Sequence, residues 1–164
     1  MSGDERRLTA ALAAASGDLL AYLQRRVGID DAPDLLGETM VIAWRRVGAL
    51  PDDPERARMW LFGVARGTLH NHARGERRRW ALADRIRIST VDAAAPPADE
   101  GADVRDALSR LEPDLAELVR LVHWERMTLV QAAELLGIPD STARTRYARA
   151  KEQLRAALGV TATA

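Results

Sequence analysis

Arg66, His70 and Arg74 recur at intervals of four residues, with Asn71 and Arg78 beside them and the run Glu76-Arg77-Arg78-Arg79-Trp80 following at once. On a helix this spacing stacks cations along one side, where they can follow a phosphate backbone, and an indole beside three guanidinium groups can stack on an unpaired base. Trp80 is equally suited to capping a hydrophobic core, and both readings stand at this point. A second group, Ser141, Thr142, Arg144, Thr145, Ala148 and Arg149, combines hydroxyl, guanidinium and small side chains without an intervening acid. On the outer face of a helix it suits the major groove of B-DNA. There Arg can donate twice to guanine, Thr can bond bases or phosphate, and small residues permit close approach.

The distribution of charge supports two such surfaces. The 164-residue chain balances 24 basic against 24 acidic residues, but they are sorted along its length. Residues 66–87 hold seven Arg against Glu76 and Asp84, a net of +5, and residues 139–158 hold four Arg and Lys151 against Asp140 and Glu152, a net of +3. Between them, residues 89–114 carry seven acids against Arg105 and Arg110, a net of −5. Two basic patches across an acidic, Pro-containing stretch point to two polyanion-binding bodies whose connection does not itself touch the polyanion. The plainer alternative is a set of solvated helix faces.

Enzyme chemistry finds little support. His70 and His72 stand about 200° apart on a helix, a poor metal pair, and His123 is remote. There is no Gly-rich phosphate loop and no nucleophile motif, so neither metal nor cofactor is expected. The absence of cysteine removes disulfides, thiolate zinc sites and cysteine nucleophiles and fits a reducing cytoplasm. The longest charge-free run is the ten residues from Leu8 to Gly17, too short to span a bilayer. Arg6 and Arg7 before that Ala-rich run imitate a signal peptide, but Asp4 and Glu5 spoil its basic start.

The elements that must position these groups are all helical in period, so the fold class is all-α. Leu19, Leu20, Leu23 and Val27 form a first stripe closed by Gly28. A second helix opens near Pro33 and turns Leu36, Met40, Ala43, Trp44 and Val47 inward. A third starts around Pro54 after the N-cap Asp53 and runs through at least Arg74, with Leu61, Val64, Ala65, Thr68 and Leu69 inward. Residues 89–103, with Pro96-Pro97 and Gly101, read as a flexible acidic linker between small helical domains at 1–88 and 104–160. In the second domain Glu112-Pro113 starts a helix, and Thr128 with Gln131 makes a capping box. Gly137 terminates a short helix, and Asp140 or Ser141 can cap a longer one, with Ala143, Tyr147, Ala150, Leu154 and Leu158 inward. This is a helix-turn-helix, although an ordinary helical hairpin shares its caps and stripe.

Three stretches together resemble the extracytoplasmic-function (ECF) sigma factors of bacterial RNA polymerase. DAPDLLGETMVIAWRR (31–46) resembles the core-binding segment, WLFGVARGTLHNHARGERRR (60–79) the promoter-melting and minus-ten segment, and TLVQAAELLGIPDSTARTRYARAKEQL (128–154) the minus-thirty-five helix-turn-helix. The resemblance implies that Asp34, Leu35, Glu38, Thr39, Ile42 and Arg45 dock on the β′ clamp helices of core polymerase. It implies that Arg66, His70, Asn71 and Arg74 follow the minus-ten strand, with Arg77, Arg78, Arg79 and Trp80 nearby. It places Ser141, Thr142, Arg144, Thr145, Ala148 and Arg149 at the minus-thirty-five element. Trp44, Trp60 and Leu61 match packing positions. The β flap, promoter DNA and an anti-sigma factor are the further partners it implies. Gly67 departs from the pattern, standing where relatives usually carry Asn, as do Ala143 for Val and Tyr147 for Leu.

A chain with no surplus positive charge lacks the sequence-independent affinity of a self-sufficient repressor. Weak DNA binding by the free protein is therefore expected, strengthened when polymerase fixes the spacing of the two domains. The competing reading is a stand-alone helix-turn-helix regulator with an N-terminal dimerisation or ligand domain.

Overall fold

The computed structural model describes residues 2–84 and 101–159, which fall within two compact units, Met1–Thr90 and Val91–Ala164. The all-α expectation holds, since every regular element among the described residues is helical.

The first unit contains α1 (Gly3–Val27), α2 (Ala32–Arg45), a 3-10 turn (Val47–Ala49) and α3 (Pro54–Asp84). A capping box starts α1: Ser2 Oγ accepts from the Glu5 N–H at 3.2 Å, and Glu5 Oε2 accepts from the Ser2 N–H at 2.6 Å. The Ala-rich segment that imitates a signal peptide is the first half of this helix, where Leu8, Leu12 and Ala15 are buried in register with Leu19, Tyr22 and Leu23. Gly28, at φ 88°, closes α1, its N–H donating to Gln24 O at 2.9 Å.

The inward face of α2 differs from the expected one. Ala32, Leu35, Thr39 and Ala43 are buried, whereas Leu36, Met40 and Val47 are half-buried and Trp44 is 40% exposed. The buried stripe is thus turned by one residue, about 100°. The cause is Thr39, a polar residue whose hydrogen bonding is met inside the core. Its hydroxyl donates to Leu35 O at 2.7 Å, the Thr68 hydroxyl donates to Val64 O at 3.2 Å, and the two oxygens lie 3.3 Å apart between α2 and α3. Buried hydroxyls satisfied in this way carry little penalty, and their small size suits close helix packing.

Asp53 caps α3 as expected, its carboxylate accepting from the Arg56 N–H at 2.9 Å. The helix is continuous for 31 residues. Ala57, Leu61, Phe62, Val64, Ala65 and Thr68 are buried, but from Leu69 to Leu82 no residue is. Trp60 and Leu69 are half-buried rather than fully inward.

The second unit contains α4 (Ala102–Ser109), α5 (Pro113–His123), α6 (Leu129–Leu136) and α7 (Asp140–Ala157). Helix α4 begins two residues before the expected Val104, after Gly101 at φ 95°. Residues 89–100 of the expected linker lie outside the described residues. Leu108, Leu111, Leu115, Ala116, Val119 and Ala150 form one core cluster, against which Tyr147 and Leu154 pack. Thr128 and Gln131 exchange side-chain and backbone hydrogen bonds at 3.1 and 2.9 Å, as the capping box requires. Gly137 is left-handed at φ 68°, and the pair of bonds Gly137 N–H to Glu134 O and Ile138 N–H to Ala133 O ends α6 in a Schellman turn. Neither Asp140 nor Ser141 caps α7: Pro139 occupies the N-cap position, and Asp140 stands in the first turn, where the helix dipole favours its charge.

Candidate nucleic-acid interface

The basic stretch of α3 opens with the half-buried Arg66 inside the packed part of the helix and from His70 onward runs past Thr68, the last buried residue. At about 100° per residue, Arg66, His70, Arg77 and Trp80 fall in one sector of about 80°, with Arg74 about 40° further round. Trp80 is 57% exposed, which removes it from the core and leaves its ring available for stacking. Arg74 Nη2 donates to Asn71 Oδ1 at 2.6 Å, which holds the Asn71 side chain with its amide N–H groups still available. Arg66, Arg77 and Arg78 have no ion-pair or hydrogen-bond partner among the described side chains. Arg79 is different. It points to the opposite side of the helix and pairs with Glu76 at 3.0 Å, so α3 does not bring it together with the others.

Gly67 sits on the same side as Arg74 and His70, and a Cβ there would meet no atom within 4 Å. A glycine inside a helix costs backbone entropy without any packing return at this site. Gly67→Ala is therefore expected to raise the stability of the first unit by about 0.5–1 kcal/mol, read as a higher melting temperature. An unchanged or lower melting temperature would contradict it.

On α2, Asp34, Glu38 and Arg45 are exposed along one line and Ile42 is half-buried at its edge. Leu35, 4% exposed, and Thr39, fully buried, are not on this surface; both belong to the core described above. Two residues not picked out for it from the sequence do lie there. Val41 (48% exposed) lies on the same side, between Glu38 and Arg45 along the helix axis, and Trp44 borders them. An apolar side chain in the middle of a charged line was the available signal.

On α7, Ser141, Arg144, Thr145, Ala148 and Arg149 are exposed and Thr142 is half-buried at the edge of the same sector, while Ala143 and Ala150 are buried opposite. Thr145 Oγ1 donates to Ser141 O at 3.0 Å. Arg149 Nη2 lies 2.8 Å from Glu112 Oε1, and Arg146 Nη1 lies 3.1 Å from Asp114 Oδ2. Beneath, the Tyr147 hydroxyl is 2.8 Å from His123 Nε2, and Lys151 Nζ stands 4.9 Å from the centre of the Tyr147 ring. No cluster of three metal-ligating side chains occurs among the described residues.

Residues 12–79 match the family profile Sigma-70 region 2, and residues 102–154 match Sigma-70, region 4. The chain belongs to the sigma-70 family. It is 29% identical over 131 residues to the ECF RNA polymerase sigma factor SigL of Mycobacterium tuberculosis, covering 77% of this chain and 74% of that protein. It is 29% identical over 159 residues to the ECF RNA polymerase sigma factor SigC of the same species, covering 94% and 84%. A solved structure of the sigma factor RpoE in complex with the anti-sigma factor NepR, from Bartonella quintana, shares the fold. Its TM-score is 0.68 at 24% identity, over 95% of this chain and 96% of that one. The protein is thus an ECF sigma factor that directs promoter-specific transcription initiation, in a family whose members are not enzymes. No helix among the described residues is long and apolar enough to cross a membrane.

Proposed function

We propose that the sigma factor divides promoter recognition between its two units, 1–88 and 104–160, with 89–103 connecting them. In this reading the exposed half of α3 captures the minus-ten strand. Arg66, Arg74 and Arg77 run along phosphates, Trp80 stacks on an unpaired base, and His70, Asn71 and Arg78 contact the strand beside them. Strand separation then needs no catalytic step and no cofactor, because capture of unpaired bases shifts an equilibrium. The outer face of α7 enters the major groove of the minus-thirty-five element through Ser141, Thr142, Arg144, Thr145, Ala148 and Arg149. Asp34, Glu38, Ile42 and Arg45, joined by Val41 and Trp44, dock on the β′ clamp helices of bacterial core RNA polymerase, and the second unit reaches the β flap. The protein acts in the cytoplasm. The complex of RpoE with NepR supports an anti-sigma factor as a further partner of this chain.

The observation that carries this reading is a single chain holding a region 2 unit with a basic helix face outside its core and a region 4 unit with an exposed, capped helix-turn-helix. The stand-alone regulator is not favoured, because it leaves the region 2 match without a role. The test is to mix the purified chain with sigma-free bacterial core polymerase and map transcript starts across a genome. Starts at a discrete set of sites, sharing two sequence elements at fixed spacing, are expected. Failure to associate, or association without directed starts, would overturn the proposal.

A further inference from the structure

We infer that Glu112 is a positioning residue for base readout by Arg149, an inference that rests on the reading of α7 given above. The 2.8 Å contact joins residues 37 apart in sequence, and both side chains are more than half exposed, 56% for Arg149 and 60% for Glu112. A pair this open to water contributes little to folding. A carboxylate beside a DNA-facing helix also repels phosphate, so a stability role does not account for it. What the pair does do is hold a guanidinium. Only Nη2 is engaged, which leaves the remaining N–H groups of the planar fork to donate. An arginine already held in one orientation loses less rotamer freedom on binding, and the adjacent carboxylate disfavours its drifting to the phosphates. Arg144, on the same face, has no ion-pair partner among the described residues and keeps the freedom that suits a phosphate contact.

Both ends of the pair are rigidly mounted. Pro113 disfavours the helical region for the residue before it, and Glu112 is accordingly extended at φ −53°, ψ 139°. The Glu112 carbonyl accepts from the N–H groups of Leu115 at 2.9 Å and Ala116 at 3.0 Å. Leu115 and Ala116 share a core cluster with Ala150, the neighbour of Arg149. The second clasp, Arg146 to Asp114 at 3.1 Å, ties the same turn of α5 to the same stretch of α7.

The test uses holoenzyme reconstituted from the full chain and bacterial core polymerase, bound to a double-stranded promoter library randomised across the upstream element. Arg149→Ala is expected to flatten preference at one base position by roughly tenfold or more. Glu112→Ala should flatten that same position by about 3- to 10-fold and spare the others, and should add nothing in an Arg149→Ala background. Glu112→Gln, which keeps an acceptor without the charge, should flatten it less. A Glu112→Ala effect that is uniform over all sequences, or that persists without Arg149, overturns the inference while leaving the role of α7 intact. If Arg149→Ala itself changes no preference, the reading of α7 falls and the inference with it.

Discussion

Phe62→Ala is expected to destabilise the first unit by about 3–5 kcal/mol. Phe62 is fully buried in the first half of α3, where that helix packs on α1 and α2. Its ring meets Tyr22 edge to face at 5.2 Å and 79°, and the Arg58 guanidinium covers it at 4.9 Å. Truncation would remove the ring contact with Tyr22 of α1, leave a cavity that backbone relaxation only partly closes, and uncouple a cation–π contact. A unit of this size has about 5–10 kcal/mol to lose, so the variant should sit near its folding threshold. Calorimetry should show the transition of the first unit lowered by about 15 °C or more. Phe62→Leu, which conserves most of the volume, should lower it far less. Equal effects from the two variants would show that filling this space is not what holds α3 to α1.

The second large effect concerns binding. Replacing Arg66, Arg74 and Arg77 together with Ala should reduce the slope of log affinity against log salt by about 2–3, because three cations would no longer displace counterions. Promoter affinity of the holoenzyme at low salt should fall on the order of a hundredfold or more. Arg79→Ala is the internal control. Arg79 carries the same charge in the same run, but it lies on the other side of α3 in its pair with Glu76, and its removal should change the slope little. Salt titrations of holoenzyme on a fixed promoter give both values. A slope that falls for Arg79→Ala by a third or more of its fall in the triple variant would mean that net charge, not the helix face, governs binding.

Features set by neighbouring residues were legible in the sequence. The capping box of Thr128 and Gln131, the left-handed Gly137, the Pro113 start of α5 and the Asp53 cap each depend on residues a few positions apart, and each forms as read. The face of α2 was not legible, because polarity alone assigns Thr39 outward and Trp44 inward. The pairing with Thr68, 29 residues away, reverses that assignment. The first half of α1 was obscured by alanine, which marks no face and left Leu8 and Leu12 as sparse signals. On α3 the spacing of Arg66, His70 and Arg74 predicted one shared side, but the run Arg77 to Arg79 could not be divided between sides without knowing that the helix continues unbroken through it. The contact between Glu112 and Arg149 is non-local and left no local trace.

The unbroken course of α3 makes it a beam clamped at one end. Thr68 is the last point of the clamp, and about 21 Å of rod, from Leu69 to Leu82, overhangs it. No residue of that overhang is fully buried, so beyond the half-buried Leu69 and the 3.9 Å contact of His72 Nε2 with Asp31 Oδ2 near its root, the placement of its tip rests on backbone hydrogen bonds and on side-chain ties along it, Asn71 to Arg74 and Glu76 to Arg79 among them. Gly75 is the weakest joint in the rod. A nucleic-acid strand lying along the overhang would act as its second support, so that gripping the strand and stiffening the grip become one event.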